Sequence, residues 1–282
     1  MTRPRPRRVL GRILLYATVM LAMFPLLFPV YWLVTSSFKS NLSAYATPPE
    51  WWPSPPTLEN YTSLTTGYTD FAMYVRNTLI TCVATALLAM AIASLAGYAV
   101  SRLRFPGKRP LLLGILATQM FPHVLILISL YGMFRQLGLM NTHLGLIFSF
   151  TTFAVPFSAW MMKGFFDGIP HEIEEAALID GCTRVGALRR VVLPLVSPGL
   201  LAVSLFSFLD GWNNLLYPLT LATSVEVRTI PPGLLLSFLG QFKHDWAGMM
   251  AASVVVTVPV VIIFVLLQRF LVRGLTAGAI KG

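Results

Sequence analysis

Charged side chains are scarce in this sequence, 11% of 282 residues, so the few places where they gather are where chemistry could occur. One gathering lies within residues 169–198, IPHEIEEAALIDGCTRVGALRRVVLPLVSP, where Glu172, Glu174, Glu175 and Asp180 precede Arg184, Arg189 and Arg190. Carboxylates and guanidinium groups in this order can form ion pairs or hold a partner surface, but nothing in the stretch resembles a catalytic site. A second gathering is Asp210-Gly211-Trp212-Asn213-Asn214, near the middle of an apolar segment. An ionisable group in hydrocarbon is costly unless it faces protein or water. Asp210, Asn213 and Asn214 therefore read either as lining of a pathway or as helix–helix bonding. His123 follows Pro122 in another apolar run, and Cys82 and Cys182 are far apart without metal-ligand or redox spacing. The chain has no Gly-x4-Gly-Lys-Ser/Thr loop, no HExxH and no serine elbow. The expectation is a chain with no catalytic residue, no metal site and no cofactor of its own.

The elements that position these residues follow from composition. Hydrophobic residues make up 56% of the chain and mean hydropathy is +0.71. The apolar residues form long runs rather than the half-and-half patterns of a soluble domain, in which about a quarter of residues are charged. The fold expected is an all-α polytopic membrane protein with six transmembrane helices, at about 13–34, 77–100, 111–133, 144–162, 199–219 and 249–270. Residues 1–12 form a basic N-terminus, 13–271 the membrane domain with a loop at 163–198, and 272–282 a tail. The first apolar run is too long, and ends in residues too bulky, for a cleaved signal peptide. Its flanking arginines belong inside the cell. With six spans and both ends inside, sixteen of the 21 basic residues fall on inner segments and five on outer ones. The net charge of +10 thus reflects topology in a lipid bilayer, and no nucleic-acid partner is expected.

Within the loop, Pro170 suits a helix start, and Glu172, Glu174 and Glu175 put negative charge at the helix end that favours it. Residues 171–180 read as two to three turns, ended by Gly181 in a left-handed conformation. A second helix, capped by Thr183, is expected to run to Leu193 and stop at Pro194. This gives a helix-turn-helix on the cytoplasmic side. Glu175 is the candidate for the polar contact that holds the loop, and Ala176 and Ala177 permit close approach. Outside the membrane, Trp51 and Trp52 lie among prolines in a segment suited to the interface. Pro122 is expected to kink the third span. Residues 229–240 are too short to span and read as a half-buried or surface helix.

The order of residues in the loop is more specific than its helicity. Glu175, Ala176 and Ala177, then Gly181 after three residues, then Val191, Leu193 and Pro194, resemble the E-A-A-x3-G-x9-I-x-L-P loop of bacterial ATP-binding-cassette importer permeases. Val191 in place of isoleucine is the one departure. RLRFPGKR at 102–109, Trp212 and Asn213, and the ending QRFLVRGLTAGAIKG are similar to carbohydrate-importer permeases of the maltose-type second subunit. Many relatives have an acidic residue after the Trp-Asn pair, where this chain has Asn214. The resemblance implies a sugar-importer permease that couples the motion of a partner ATPase to alternating access. It implies a heterodimer with a second permease, two copies of a cytoplasmic ATPase that bind ATP and Mg, and an extracytoplasmic solute-binding protein. It also implies that the tail, through Thr276, Gly278 and Lys281, contacts the ATPase. An importer of a non-sugar solute is the near alternative. An ion-driven secondary transporter coupled through Asp210 is the rival class, but it leaves the loop pattern unexplained.

The topology carries its own test. Ser54→Cys and Thr276→Cys, each in a cysteine-free background, should react with an impermeant thiol reagent from opposite faces of sealed vesicles. Reaction of both from one face would overturn the six-span arrangement.

Overall fold

The computed structural model describes residues 6–66, 70–240 and 243–279. In chain order the helices that matter here are α1 (Pro6–Ser37), α2 (Phe71–Arg102), α3 (Lys108–Met120), α4 (His123–Gln136), α5 (His143–Asp167), α6 (His171–Ile179), α7 (Arg184–Leu195), α8 (Ser197–Trp212), α9 (Leu216–Leu221), α10 (Ile230–Phe238) and α11 (Trp246–Ala279). A two-residue antiparallel pair, Leu239–Gly240 with Lys243–His244, precedes α11. Among the described residues four helices contain stretches long and apolar enough to cross a membrane, namely Leu14–Ser37, Phe71–Arg102, His143–Asp167 and Trp246–Gln268. Two bent pairs bring the number of apolar segments to six, so the all-α polytopic fold expected from composition is the fold observed.

The chain divides into two compact units, Met1–Thr69 with Leu234–Val258, and Asp70–Gly233 with Pro259–Gly282. In the first, the polar segment after α1 folds back around Lys39. Its side chain is buried, donates to the Glu50 carbonyl at 2.5 Å and lies 4.0 Å from the Trp32 ring centroid. Burial lowers the pKa of this ammonium, and the charge of Glu50 opposes that shift. Asn60 donates to the carbonyls of Ser37 and Lys39, and Tyr31 to that of Trp51. Trp51 packs on Phe28 and Trp32 of α1, and both Trp51 and Trp52 remain largely exposed.

The second unit is built on α2, α5 and α8. Small residues of α2 (Ala86, Ala89, Ala93 and Gly97) are buried and let the helix backbones approach closely. At Gly97 a Cβ would lie 2.8 Å from both the Lys163 amide nitrogen and Met162 Cβ of α5. One apolar cluster joins Ala93 and Tyr98 of α2, Met162 and Phe166 of α5, Leu188 and Val192 of α7 and Val203 of α8. Another joins Leu130 and Phe134 of α4, Phe150 of α5 and Tyr217 and Leu221 of α9. Polar residues of α2 tie down the segment before α10. Asn77 donates to the carbonyls of Glu226 and Arg228, and Thr78 Oγ1 accepts from the amide of Ile230.

Several expectations need correction. The third span is broken rather than kinked, since α3 and α4 meet at 96°. Phe121, the residue before Pro122, is extended (φ −75°, ψ 136°), as the clash with a following proline ring requires. The fifth span ends at Trp212 instead of 219, and α9 follows separately. Asn213 donates to the Leu209 carbonyl and Asn214 Oδ1 accepts from the Tyr217 amide, so two side chains satisfy backbone groups at the break. Residues 188–192 of α7 form a π turn, and the helix passes Pro194 to end at Leu195. Proline has no N–H for the carbonyl four residues back, which suits a locally widened turn. The segment at 229–240 forms α10, with most of its residues buried or partly buried. Helix α11 continues through Pro259 to Ala279, so most of the expected tail is helical in backbone.

Gly97→Val should overpack the α2–α5 contact and cost about 1–3 kcal/mol. Gly114→Ala, at a helical position with nothing within 4 Å of the added carbon, should be neutral or slightly stabilising. Thermal unfolding in detergent, followed by the monodisperse fraction, checks both; equal midpoints would remove the close-approach argument.

Candidate functional site

Within the expected loop, 163–198, local sequence builds a helix-turn-helix, although α5 runs on to Asp167 and α8 begins at Ser197. Pro170 is extended (φ −55°, ψ 139°) and stands just before α6, and Glu172 and Glu174 fall in its first turn. At the other end Gly181 has φ +88°. The Gly181 amide donates to the Leu178 carbonyl and the Cys182 amide to the Ala177 carbonyl. This paired closure is a Schellman motif, which needs a left-handed residue and therefore favours glycine. Thr183 Oγ1 accepts from the Gly186 amide at 3.1 Å and caps α7.

Helix α6 has two unlike faces. Glu174 and Ala177 are buried and Leu178 is half-buried, a spacing that sets them on one side. Glu172, Glu175, Ala176 and Ile179 are exposed, Ile179 by 87%. Val185, at the start of α7, is 65% exposed and continues the apolar surface past the turn. Leu193 is half-buried and Pro194 exposed. Of the loop residues singled out in the sequence, Glu175, Ala176 and Pro194 thus face outward, and Ala177 is enclosed by its own chain.

Within the chain, α6 is held by a polar contact of Glu174, while Glu175 faces outward. Glu174 Oε1 accepts a hydrogen bond from the Tyr98 hydroxyl, and Oε2 lies 3.1 Å from Arg102 Nε without a directed hydrogen bond. Arg102 also donates from Nη2 to the Ile169 carbonyl at 2.8 Å. The Arg102 and Glu174 side chains are 3% and 11% exposed. A helical wheel could have flagged position 174, because it shares a face with Ala177 and Leu178. Its partners lie about 70 residues away on α2, and no local signal names them.

The second gathering occupies the end of α8. Phe206, Leu209, Asp210, Asn213 and Asn214 line an open cavity of about 380 Å³. Asp210 is half-buried, and among the described residues no hydrogen bond or ion pair reaches its carboxylate. Phe206 packs against Phe157, with ring centroids 4.6 Å apart, and Phe157 against Trp160. His123 packs on Phe153 at 4.7 Å and its carbonyl accepts from the Tyr217 hydroxyl, both of which favour a packed residue. Among the described residues no group of His, Cys, Asp or Glu could hold a metal ion, and Cys82 and Cys182 are free. Thr276 and Gly278 lie on the last turns of α11, where only the backbone is described, and Lys281 lies outside the described residues.

Comparison with known proteins places this geometry. Residues 89–277 match the family described as binding-protein-dependent transport system inner membrane component. The diacetylchitobiose uptake system permease protein DasC of Streptomyces coelicolor is 37% identical, covering 98% of this chain and 99% of its own. The trehalose/maltose transport system permease protein MalG of Thermococcus litoralis is 35% identical, covering 97% and 98%. A chain from a bacterial ABC transporter involved in import of the acidic polysaccharide alginate shares the fold, with a TM-score of 0.79, 20% identity and coverage of 95% and 99%. This chain therefore belongs to the family of inner membrane components of binding-protein-dependent transport systems.

Proposed function

We propose that this protein is the permease subunit of an ATP-driven sugar importer and that the loop at 163–198 is where its ATPase docks. The reading rests chiefly on the outward face of α6. Glu175, Ala176 and Ile179 stand exposed beside Val185 on a helix-turn-helix whose other face is packed into the chain. Ile179 and Val185, exposed on either side of a capped glycine turn, supply the apolar contacts that a docked partner would cover. The sugar class is supported by relatives named for uptake of diacetylchitobiose and of trehalose or maltose, matched over nearly their whole length.

In this reading the chain pairs with a second, different permease, two copies of a cytoplasmic ATPase and an extracytoplasmic solute-binding protein. ATP and Mg bind in the ATPase, and this chain performs no hydrolysis. Residues 1–12 and 272–282 are cytoplasmic, and Thr276, Gly278 and Lys281 contact the ATPase. Closure of the ATPase moves α6 and α7, and the rigid helices joined to them open the pathway to one side and then the other. Asp210, Asn213 and Asn214 line that pathway. A half-buried carboxylate that forms no hydrogen bond or ion pair among the described residues is tolerable near hydrocarbon when water or solute reaches it.

Ile179→Arg should leave the spans inserted and lower co-purification of the ATPase about tenfold, the scale set by losing one well-buried apolar anchor. Undiminished co-purification, together with undiminished ATP-dependent uptake of a disaccharide into vesicles, would remove α6 from the docking surface. For the pathway, Asp210→Cys in a cysteine-free complex should react with a small water-soluble thiol reagent, and Asp210→Asn should lower uptake severalfold while assembly is retained. An unreactive thiol with failed assembly of Asp210→Asn would make this residue structural.

A further inference from the structure

The inward face of α6 raises a question that docking alone does not answer. A carboxylate is almost never buried unless it is paired. Helix α6 carries three glutamates, Glu172, Glu174 and Glu175, and only Glu174 is turned into the protein. There it meets Tyr98 and Arg102, which stand one helical turn apart on the same face of α2. Arg102 reaches past it to the Ile169 carbonyl in the link between α5 and α6. The same end of α2 is tied to the end of α5, where Ser101 donates to Asp167 at 2.6 Å and Asp167 pairs with Lys163. Tyr98 is itself fixed by an edge-on contact with Phe166 at 5.7 Å.

A force applied to α6 has three ways into the membrane helices. The chain path to α5 passes through Gly168, Ile169 and Pro170, and the path to α7 passes through the left-handed turn at Gly181. Both are joints between separate helices. The third path is the side-chain bridge to α2, and it ends on a helix closely packed to α5.

We infer that Glu174, clasped by Tyr98 and Arg102, is the positioning residue that makes α6 and α2 move as one body, so that α2 carries the motion of the docked ATPase into the membrane. This deepens the importer reading and rests on it. Glu175 faces the partner, and Glu174 transmits what the partner does. Neighbouring glutamates on one helix thus divide the work, one on each face.

The test uses the complete importer in vesicles, with a disaccharide and its binding protein outside. Leu103 and Leu178 line the same crevice as Glu174 and Arg102. Joining Leu103→Cys to Leu178→Cys with a short bis-thiol reagent, in a cysteine-free background, should leave ATP-driven uptake unchanged, because the two helices already move together. Glu174→Gln keeps a hydrogen-bond partner for Tyr98 but removes the carboxylate facing Arg102, which retains its bond to the Ile169 carbonyl. This variant should lower solute transported per ATP hydrolysed severalfold, because the bond that ties α6 to α2 is weakened when the buried pair is broken. The ATPase should remain bound, and Glu174→Asp should restore part of the ratio. Uptake abolished by the cross-link, or an unchanged transport-to-hydrolysis ratio in Glu174→Gln, would overturn the clasp. A merely structural role would lower assembly and leave that ratio unchanged in the complexes that form. If Glu174→Gln fails to assemble, the cross-link alone decides. Absence of ATP-dependent uptake by the unaltered complex would instead overturn the importer reading itself.

Discussion

Lipid chains are as apolar as leucine, so helices inside a bilayer are held together by close packing and by the polar bonds they share. In this protein that constraint falls on the contact between α2 and α5. Ala86, Ala89, Ala93 and Gly97 reduce one face of α2 to little more than backbone, and Met162 and Lys163 of α5 come near enough that Gly97 admits no side chain. Tyr98 and Arg102 continue this helix beyond the small-residue face, and Asn77 and Thr78 begin it by satisfying backbone groups before α10. The packed pair thus supports the loop between α5 and α8 at one end and an irregular segment at the other.

Irregular backbone is tolerated at membrane depth only where it is enclosed by protein or lines a wet cavity. Each interruption here has a chemical cause and a local remedy. Pro122 forces Phe121 out of the helix and separates α3 from α4. Asn213 and Asn214 bond to backbone groups between α8 and α9. Asn213 and Asn214 also line an open cavity with Asp210, whose carboxylate has no hydrogen bond or ion pair among the described residues. Broken helices of this kind free polar groups without exposing backbone to lipid, which is how transport pathways are commonly built.

The loop between α5 and α8 shows how nine residues of helix can serve two surfaces. The three acidic residues near the start of α6 all suit the helix dipole, so a dipole argument cannot tell them apart. Rotation about the helix axis does. A carboxylate facing solvent is available to a partner, and one facing inward requires a partner within the chain. Schellman closure at Gly181 and the Thr183 cap hold that rotation steady by fixing both sides of the turn.

Much of this was legible before any coordinates. Apolar run length and the distribution of arginines indicate a polytopic helical protein, because the bilayer sets helix length and the translocation machinery reads basic residues. The E-A-A-x3-G spacing identifies the loop, and glycine and threonine chemistry foretells the left-handed turn and the cap, since these effects act within a few residues. Other features required the folded chain. The break rather than a kink at Pro122 depends on where α3 and α4 find neighbours, and the early end of α8 depends on side chains that bond locally in place of backbone. Choosing Glu174 over Glu175 as the anchor of α6 depends on Tyr98 and Arg102, which stand on α2 and reach the loop only through tertiary packing. Short-range rules of propensity, capping and charge are written in sequence order; a buried ion pair between distant helices is decided by which faces the packing of small residues brings together.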